Sequence, residues 1–179
     1  MLIECYTDGS ACVQGVNKGK GGFATYFPEL LGKRKAFSAG FTNTKTGRME
    51  ITALLYAIRA IPLSEKCTLK VHSDSEYVVK SFTEKRLEKW VSNNWITYNY
   101  KGVAQDVKNV DLWQQVIEAL KIRVGMDIVL QHIKAHQIDK EKDPKKVKEL
   151  LKNKHILGNS IADRLAFYKR FENFKVDIK

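Results

Sequence analysis

The chain has 179 residues, a length that suits one domain of ordinary size. Hydrophobic residues make up 44% of it, enough to bury a core, and this excludes wholesale disorder. The formal net charge of +11 favours a polyanionic partner such as nucleic acid, with a basic protein that has no such partner as the alternative.

The cysteines and the N-terminus bear on the compartment. Cys5, Cys12 and Cys67 form no Cys-x-x-Cys pair, and the histidines stand at no zinc-like spacing from them. We therefore expect reduced thiols in an intracellular, cytoplasmic protein. The first residues lack the basic and apolar segments of a signal peptide, and no apolar run is long enough to cross a bilayer. We accordingly predict no membrane partner.

The first part of the chain predicts three strands at residues 2–7, 22–27 and 35–42. Asp8-Gly9-Ser10, after the first of them, has turn chemistry, and a loop rich in glycine and lysine precedes the second. Short connections between the three strands indicate an antiparallel meander.

The rest of the chain alternates between helical and strand patterns. In order, we predict a helix at residues 51–61, a strand at 68–73, a helix at 75–82, a helix at 111–123, a strand at 127–134, a short helix opened by Asp143-Pro144, and a last helix at about 159–171. Together the elements predict a single α/β domain over residues 1–179, with a mixed five-stranded sheet and helices packed on both faces.

Acidic residues stand at four predicted element boundaries. Asp8 ends the first strand, Glu50 lies in the first turn of the first helix, Asp74 ends the fourth strand, and Asp163 is near the start of the last helix. If the first and fourth strands are parallel neighbours, Asp8 and Asp74 lie close together. Clustered carboxylates repel one another unless a cation compensates, and their hard oxygens suit Mg²⁺ or Mn²⁺. Taken singly, each is explained as well by a turn or by the helix dipole.

Six segments surround these residues and carry a family resemblance. They are Thr7-Asp8-Gly9-Ser10, residues 19–23, Arg48-Met49-Glu50, residues 73–78, Lys108-Asn109-Val110-Asp111-Leu112-Trp113 and Ala162-Asp163-Arg164-Leu165-Ala166. In this order, over about residues 2–168, they resemble type 1 ribonuclease H. The resemblance implies a ribonuclease H-like fold and an endonuclease that hydrolyses the RNA strand of RNA–DNA hybrids, leaving 3′-hydroxyl and 5′-phosphate ends.

The same resemblance implies a catalytic set. Asp8, Glu50, Asp74 and Asp163 match the family's metal ligands, which would hold two Mg²⁺ ions when substrate is bound, with Mn²⁺ as a substitute. His136 matches the family's mobile-loop histidine, which is thought to help proton transfer or product release. A lone histidine is more often structural, but His136 follows a predicted strand and opens a loop.

Substrate contacts are implied at further positions. Asn17 matches a residue that approaches the RNA minor groove, where 2′-hydroxyls lie exposed. Asn109 matches the asparagine of the family's phosphate pocket. The family usually has amide side chains just before its Arg-Met-Glu, where this chain has Lys45-Thr46-Gly47, so either Thr44 or Thr46 is the candidate for a DNA phosphate.

Residues 84–101 resemble the basic protrusion with which some members grip the hybrid. Lys89, Trp90 and Trp95 lie in this segment, and an exposed tryptophan there can pack on a deoxyribose. The alternative is that Trp90 and Trp95 hold two short helices together, and both roles are compatible.

The chain departs from the family most clearly in a lysine-rich insert at about residues 137–157. Its short helix either contacts the backbone of the hybrid or merely lengthens a solvated loop.

Three other functions remain as alternatives. A Holliday-junction resolvase or an integrase core is disfavoured by Arg48-Met49-Glu50 and by the segment at residues 108–113. A catalytically inactive module that binds hybrids or double-stranded RNA is disfavoured because no acidic ligand is lost. A ribonuclease H domain detached from a reverse transcriptase is less favoured than a free-standing enzyme, which we expect to be a monomer, because Met1 lies close to the first strand.

Overall fold

The computed structural model describes residues 1–135, 137–138 and 140–172, together with the backbone of residues 174–176. Its strands are β1 (Leu2–Ala11), β2 (Gly21–Leu30), β3 (Lys33–Thr42), β4 (Cys67–Ser73), β5 (Ile96–Tyr98), β6 (Ala104–Asp106), β7 (Met126–His132) and β8 (Phe174–Val176). Its helices are α1 (Thr46–Arg59), α2 (Glu76–Thr83), α3 (Arg86–Ser92), α4 (Val110–Lys121), α5 (Pro144–Leu150) and α6 (Lys154–Lys169). The predicted α/β class is confirmed.

The central sheet has the strand order β7-β4-β1-β2-β3-β8. β1, β2 and β3 are antiparallel neighbours, as predicted for a meander, whereas β4 is parallel to β1 and β7 is parallel to β4. The predicted mixed sheet of five strands is therefore confirmed. The sequence pattern does not predict β8, which adds three residues parallel to β3 at the edge.

Helices lie on both faces of the sheet, and two glycines mark their closest approach. A Cβ added at Gly9 would lie 2.1 Å from the backbone nitrogen of Glu50 on α1. A Cβ added at Gly22 would lie 2.4 Å from the carbonyl oxygen of Ala166 on α6. Gly9 pairs with Phe23, the neighbour of Gly22, so the two positions face opposite sides of the sheet. α1 and α6 therefore cover opposite faces, as predicted.

The larger part of the core lies between the sheet and helices α1, α2 and α4, with Trp113 fully buried within it. A smaller cluster on the α6 face contains Tyr6, Tyr26 and Ala162. Among the described residues, no helix has both the length and the apolar character that crossing a membrane requires.

Two predicted boundaries near the acidic residues are wrong. β1 does not end at Asp8, because residues 8–11 continue as strand by pairing with residues 21–24 of β2. The turn predicted at Asp8-Gly9-Ser10 is therefore absent. α1 begins at Thr46, so Glu50 lies beyond its first turn. Both residues stand within regular elements, where backbone hydrogen bonds hold them more rigidly than a turn would.

The start of the last helix also differs from the prediction. α6 begins at Lys154, and Asp163 lies near its middle. Asn153 caps this start, because its side chain accepts hydrogen bonds from the backbone nitrogens of His155 and Ile156. Gly158 suggests a helix break in the sequence, but a Cβ there would lie 2.4 Å from the ring of Tyr6. Glycine is therefore needed for the helix to cross the sheet at this distance.

The insert contains the short helix that Asp143-Pro144 predicts. α5 begins at Pro144, and the side chain of Asp143 accepts a hydrogen bond from the backbone nitrogen of Lys145. Val147 and Leu150 are half-buried, and the lysines of α5 are exposed. These two residues give the helix one partly covered apolar edge.

Candidate active site

Asp8 and Asp74 come together at neighbouring parallel strands. Thr7 of β1 pairs with Ser73 of β4, so Asp8 and Asp74 are the next residues along the two chains. Asp8 is only 8% exposed. The predicted proximity of these two carboxylates therefore follows directly from the sheet register.

Glu50 reaches the same region from α1, because Gly9 lets the helix backbone approach β1 closely. The hydroxyl of Ser75 donates a 2.6 Å hydrogen bond to Glu50 Oε2. Ser75 directly follows Asp74 and also caps α2, since its side chain accepts from the backbone nitrogen of Val78. Ser75 is not among the predicted site residues, although its position before a helical pattern is a capping signal.

Asp163 approaches from α6 on the other face of the sheet, and its charge acts on Asp8. Burial raises the pKa of the Asp8 carboxyl well above its usual range, and the charges of Asp74, Asp163 and Glu50 raise it further, whereas the backbone N–H of Gly9 opposes them. Burial also raises the pKa of Glu50, against the hydrogen bond from Ser75, and Asp74 adds to the increase. These effects place the four predicted carboxylates in one electrostatically coupled group.

The donor set fits hard divalent cations. The group consists of carboxylate oxygens, which Mg²⁺ and Mn²⁺ prefer over nitrogen or sulfur ligands. A cation among these residues would relieve the repulsion that raises the pKa of Asp8. The residues therefore fit the metal site that the resemblance implies.

His136 lies outside the described residues, so its predicted place cannot be compared with the structure. Residues on either side of it, Lys134 and Gln137, line a small cavity together with Asn159 and Asp163. Lys134 and Gln137 thus lie beside one of the four carboxylates.

The residues predicted to contact phosphate, Thr44 or Thr46 and Asn109, line two adjoining grooves. A cavity of about 800 Å³ is lined by Cys12, Lys18, Thr44 and Thr46 among others. Lys45 and Gly47 line this cavity and also a second one of about 640 Å³, which contains Asn109. Asn17 is half-buried in the loop after β1 and is not among the residues that line these grooves.

An ion pair that the sequence does not reveal lies in the second groove. Arg48 Nη1 and Nη2 donate to the two carboxylate oxygens of Asp111 at 2.9 and 2.7 Å. Asn109 precedes α4 with φ at 61°, and its side chain makes no capping hydrogen bond to that helix.

The protrusion places its tryptophans against the protein. Trp90 and Trp95 are half-buried and pack on the core, and the ring centroid of Trp90 lies 5.7 Å from that of Trp113 and 6.2 Å from that of Tyr77. Lys89 is exposed. Trp90 of α3 thus packs against Tyr77 of α2 and Trp113 of α4, which supports the structural role for this tryptophan.

Comparison with known proteins decides the family. A sequence profile of the RNase H family matches residues 2–169. The chain belongs to the ribonuclease H family. It is 39% identical over 116 residues to the ribonuclease H of Chlorobium luteolum, covering 65% of this chain and 73% of the relative. It is 34% identical over 137 residues to the ribonuclease H of Caldicellulosiruptor saccharolyticus, covering 76% and 86%. The predictions of the family and of a ribonuclease H enzyme are confirmed.

Solved structures agree on the fold. The RNase H domain of PFV, determined in solution, superposes with a TM-score of 0.67 at 25% identity and covers 98% of this chain and 96% of that domain. A foamy viral protease-reverse transcriptase in complex with RNA/DNA hybrid has a TM-score of 0.67 at 20% identity. The match covers 94% of this chain but only 20% of the longer viral chain. The predicted ribonuclease H-like fold is confirmed.

Proposed function

We propose that this ribonuclease H hydrolyses the RNA strand of RNA–DNA hybrids with two divalent ions held by Asp8, Glu50, Asp74 and Asp163. The convergence of these carboxylates from two adjacent strands and from helices on opposite faces of the sheet carries the proposal. Such a group is unfavourable without a cation, because burial and like charge both oppose ionisation of Asp8.

The protein's own part in the reaction is to hold the ligand oxygens in place. Asp8, Glu50, Asp74 and Asp163 would hold two Mg²⁺ ions, which would supply activation of water and stabilisation of the leaving 3′ oxygen, giving 3′-hydroxyl and 5′-phosphate ends. Ser75 fixes the orientation of Glu50 through its hydroxyl. Asp8 is fixed by the pairing of β1 with strands on both sides. Mn²⁺ substitutes because it accepts the same hard oxygen ligands.

The hybrid is the proposed partner because a net charge of +11 suits a polyanion, and because a protein of this fold has been solved in complex with RNA/DNA hybrid. Thr44 or Thr46 is proposed to bond a phosphate of the DNA strand, and Asn109 a second phosphate. Thr44 and Thr46 line one groove and Asn109 lines the other, and Lys45 lines both. Asn17 is proposed to face the minor groove, where the 2′-hydroxyl distinguishes RNA from DNA.

The protrusion is proposed to contribute through its exposed surface. Lys89 is exposed and suits a backbone contact, and the accessible edges of Trp90 and Trp95 suit a sugar. Their packing against the core would make such a contact rigid. The monomeric state and the cytoplasmic location stay predictions from the sequence.

The sharpest test of the site is Asp74→Asn, with Asp127→Asn as the matched control. Asp127 is an exposed residue of β7 that pairs with Thr68, at the other end of β4 from Asp74. Asp74→Asn should lower the rate of hydrolysis by at least roughly a thousandfold, because metal clamping stabilises the transition state by several kcal/mol. Hybrid binding should remain measurable, since the basic residues are unchanged.

The assay uses labelled RNA–DNA hybrid with Mg²⁺, beside DNA and RNA duplexes, and the ends are identified by their susceptibility to phosphatase and ligase. Near-normal cleavage by Asp74→Asn would contradict the two-metal site. Equal cleavage of all three duplexes would contradict the substrate.

His136→Ala should lower the rate less than any of the carboxylate changes. We propose that His136 carries a proton in the reaction, a contribution of typically ~10²–10⁴-fold that water can partly replace. The measurement is the rate at saturating hybrid over a range of pH. A loss as large as that of Asp74→Asn would show that His136 has a structural or ligand role instead.

A further inference from the structure

A second group of metal-ligand side chains lies on the α6 face of the sheet and shares no residue with the carboxylate site. Glu4 is in β1, His72 in β4 and His155 in the first turn of α6. One ligand atom from each lies within 4.8 Å of the other two. The three residues are distant in sequence, and only the pairing of β1 with β4 and the crossing of α6 bring them together.

Hydrogen bonds and ring contacts hold this group in place. His72 Nε2 donates to Glu4 Oε1 at 3.1 Å, and His155 Nδ1 is hydrogen-bonded to the hydroxyl of Tyr6 at 3.0 Å. The ring of Tyr6 stacks on that of His72, with centroids 4.9 Å apart. His72 is only 1% exposed, and its Nδ1 has no hydrogen-bond partner among the described residues. The only polar contact described for this buried ring is therefore the one to Glu4.

The distances suit a small tetrahedral cation. Zn²⁺ takes nitrogen and oxygen ligands at about 2.0–2.1 Å, which places neighbouring ligand atoms about 3.3 Å apart. The separation of His72 Nε2 and Glu4 Oε1, 3.1 Å, is already close to this value. With all separations within 4.8 Å, His155 needs a shift of at most about 1.5 Å to complete the set. For both Nε2 atoms to present lone pairs, the proton of His155 would be on Nδ1, bonded to Tyr6, and the proton of His72 would move from Nε2 to Nδ1.

The solvent access and the negative charge of Glu4 also permit a cation to bind to this group. Glu4, Tyr6 and Lys154 line a cavity of about 350 Å³ that opens to solvent. The Nζ atom of Lys154 lies 2.7 Å from Glu4 Oε2, and its hydrogen bond lowers the pKa of Glu4 to about 2, so Glu4 is an anion at neutral pH. The side chain of Lys154 is 67% exposed and can turn into solvent when a divalent cation takes its place.

We propose that Glu4, His72 and His155 bind one zinc-class divalent ion and that this ion ties the start of α6 to the sheet. Two imidazoles and one carboxylate are ligands of Zn²⁺, whereas Mg²⁺ takes oxygen ligands, so the two sites select different metals. Because α6 carries Asp163, the ion would stabilise the helix that completes the carboxylate group without taking part in hydrolysis.

The test is a titration of the intact protein with zinc, measured by calorimetry. Excess Mg²⁺ is present throughout to occupy the carboxylate site. Co²⁺ in place of Zn²⁺ should give the intense visible absorption of a tetrahedral site. His155→Asn and Glu4→Gln, on different elements, should each weaken zinc affinity at least roughly tenfold. Lys154→Met should strengthen it, because the cation that competes for Glu4 is removed. His132→Asn, at an exposed histidine of β7, should leave the affinity unchanged.

Circular dichroism must show that each variant is folded, and zinc should raise the unfolding temperature of the unsubstituted protein but not that of His155→Asn. No zinc binding in excess Mg²⁺, or equal affinity for zinc in the unsubstituted protein and His155→Asn, would overturn the proposal. A loss of affinity in His132→Asn would place the ion elsewhere. Hydrolysis with Mg²⁺ alone is assayed separately, so either proposal can fail without the other.

Discussion

The carboxyl of Asp8 is buried in β1, next to the carboxylates of Asp74, Asp163 and Glu50. Its folded pKa is raised above the ordinary value of 3.8, so the folded protein binds this proton more tightly than the unfolded chain does. The stability linked to Asp8 is therefore fully present below about pH 3.8 and is lost as the pH rises through the folded pKa. In the metal-free protein at neutral pH, Asp8 thus opposes folding.

Asp8→Asn should consequently stabilise the metal-free protein while it abolishes hydrolysis. In chelator at pH 7, we expect the free energy of unfolding to increase, because a neutral amide avoids burying a charge beside the other carboxylates. The gain should shrink as the pH falls towards about 4. Urea unfolding across this pH range is the measurement, and Asp127→Asn, at an exposed carboxylate, is the control. Equal stability of Asp8→Asn and the unsubstituted protein at pH 7 would contradict the clustered site.

The identity of the four carboxylates was predictable because each stands in a local motif. The partner that orients one of them was not. Ser75 donates to Glu50 across 25 positions of sequence, and no local pattern specifies that pairing. At the scale of residues, motif and spacing thus identify the reactive groups, and the contacts between them depend on the folded chain.

Among the elements, α1 and α4 are joined by the pair of Arg48 and Asp111. Arg48 is 3% exposed, and both of its terminal nitrogens donate to Asp111. The hydrogen bond from Arg48 lowers the pKa of Asp111. Because a planar guanidinium meets a planar carboxylate at two points, the pair sets the orientation of α4 as well as its distance from α1. The groove that contains Asn109 depends on this orientation.

Asp111→Asn should destabilise the protein because the amide cannot replace both charged hydrogen bonds to buried Arg48. We expect a loss of about 1–2 kcal/mol in the free energy of unfolding at pH 7, towards the low end because the Asp111 side chain is 40% exposed. Since the pKa of Asp111 is lowered, this contribution is present above about pH 3.8 and is lost as the pH falls through the folded pKa.

The matched control for this prediction is Glu118→Gln, which changes an exposed residue of the same helix. Denaturant unfolding of both variants measures the difference between them. A loss for Asp111→Asn no greater than that for Glu118→Gln would mean that the pair contributes nothing to the packing of α4.

For the whole molecule, the net charge of +11 includes groups of exposed basic residues that lie at different distances from the carboxylate site. The lysines of α5 are exposed on the insert, and residues 137–138 of the insert line a cavity with Asp163. β3 begins with Lys33, Arg34 and Lys35, which are equally exposed but lie at the end of the sheet away from Asp8. The two sets have the same charge and differ in position.

Changing three lysines of the insert to glutamine should weaken the salt dependence of hybrid binding. Each phosphate contact contributes roughly 0.9 to the slope of log affinity against log salt, so the slope should fall by about two to three units. Turnover at saturating hybrid should change little. Binding is measured over a salt series with Ca²⁺ in place of Mg²⁺, and the changes are Lys145→Gln, Lys146→Gln and Lys148→Gln.

The control changes residues 33–35 to glutamine, which removes the same charge and should alter the slope by less than one unit, roughly. If both triple variants change the slope equally, the effect is one of net charge. An unchanged slope in the insert variant would mean that α5 only lengthens a solvated loop, the alternative that the sequence left open.

The local sequence predicts the α/β class, the five main strands and the motifs that contain the candidate metal ligands. These depend on the local period of apolar residues, on capping at Asp143-Pro144 and on motif identity, all of which are contained within a few neighbouring positions. The acidic residues were recognisable for the same reason.

The end of β1 and the start of α6 depend on tertiary contacts instead. The last residues of β1 form strand because β2 supplies their hydrogen bonds. α6 can continue through Gly158 because glycine has no Cβ to clash with the ring of Tyr6. Tertiary packing also brings Glu4, His72 and His155 together. The hydrogen bond between Glu4 and Lys154 beside them spans 150 positions of sequence. Such contacts leave no local period or spacing, because the energy that favours them exists only once distant segments have packed.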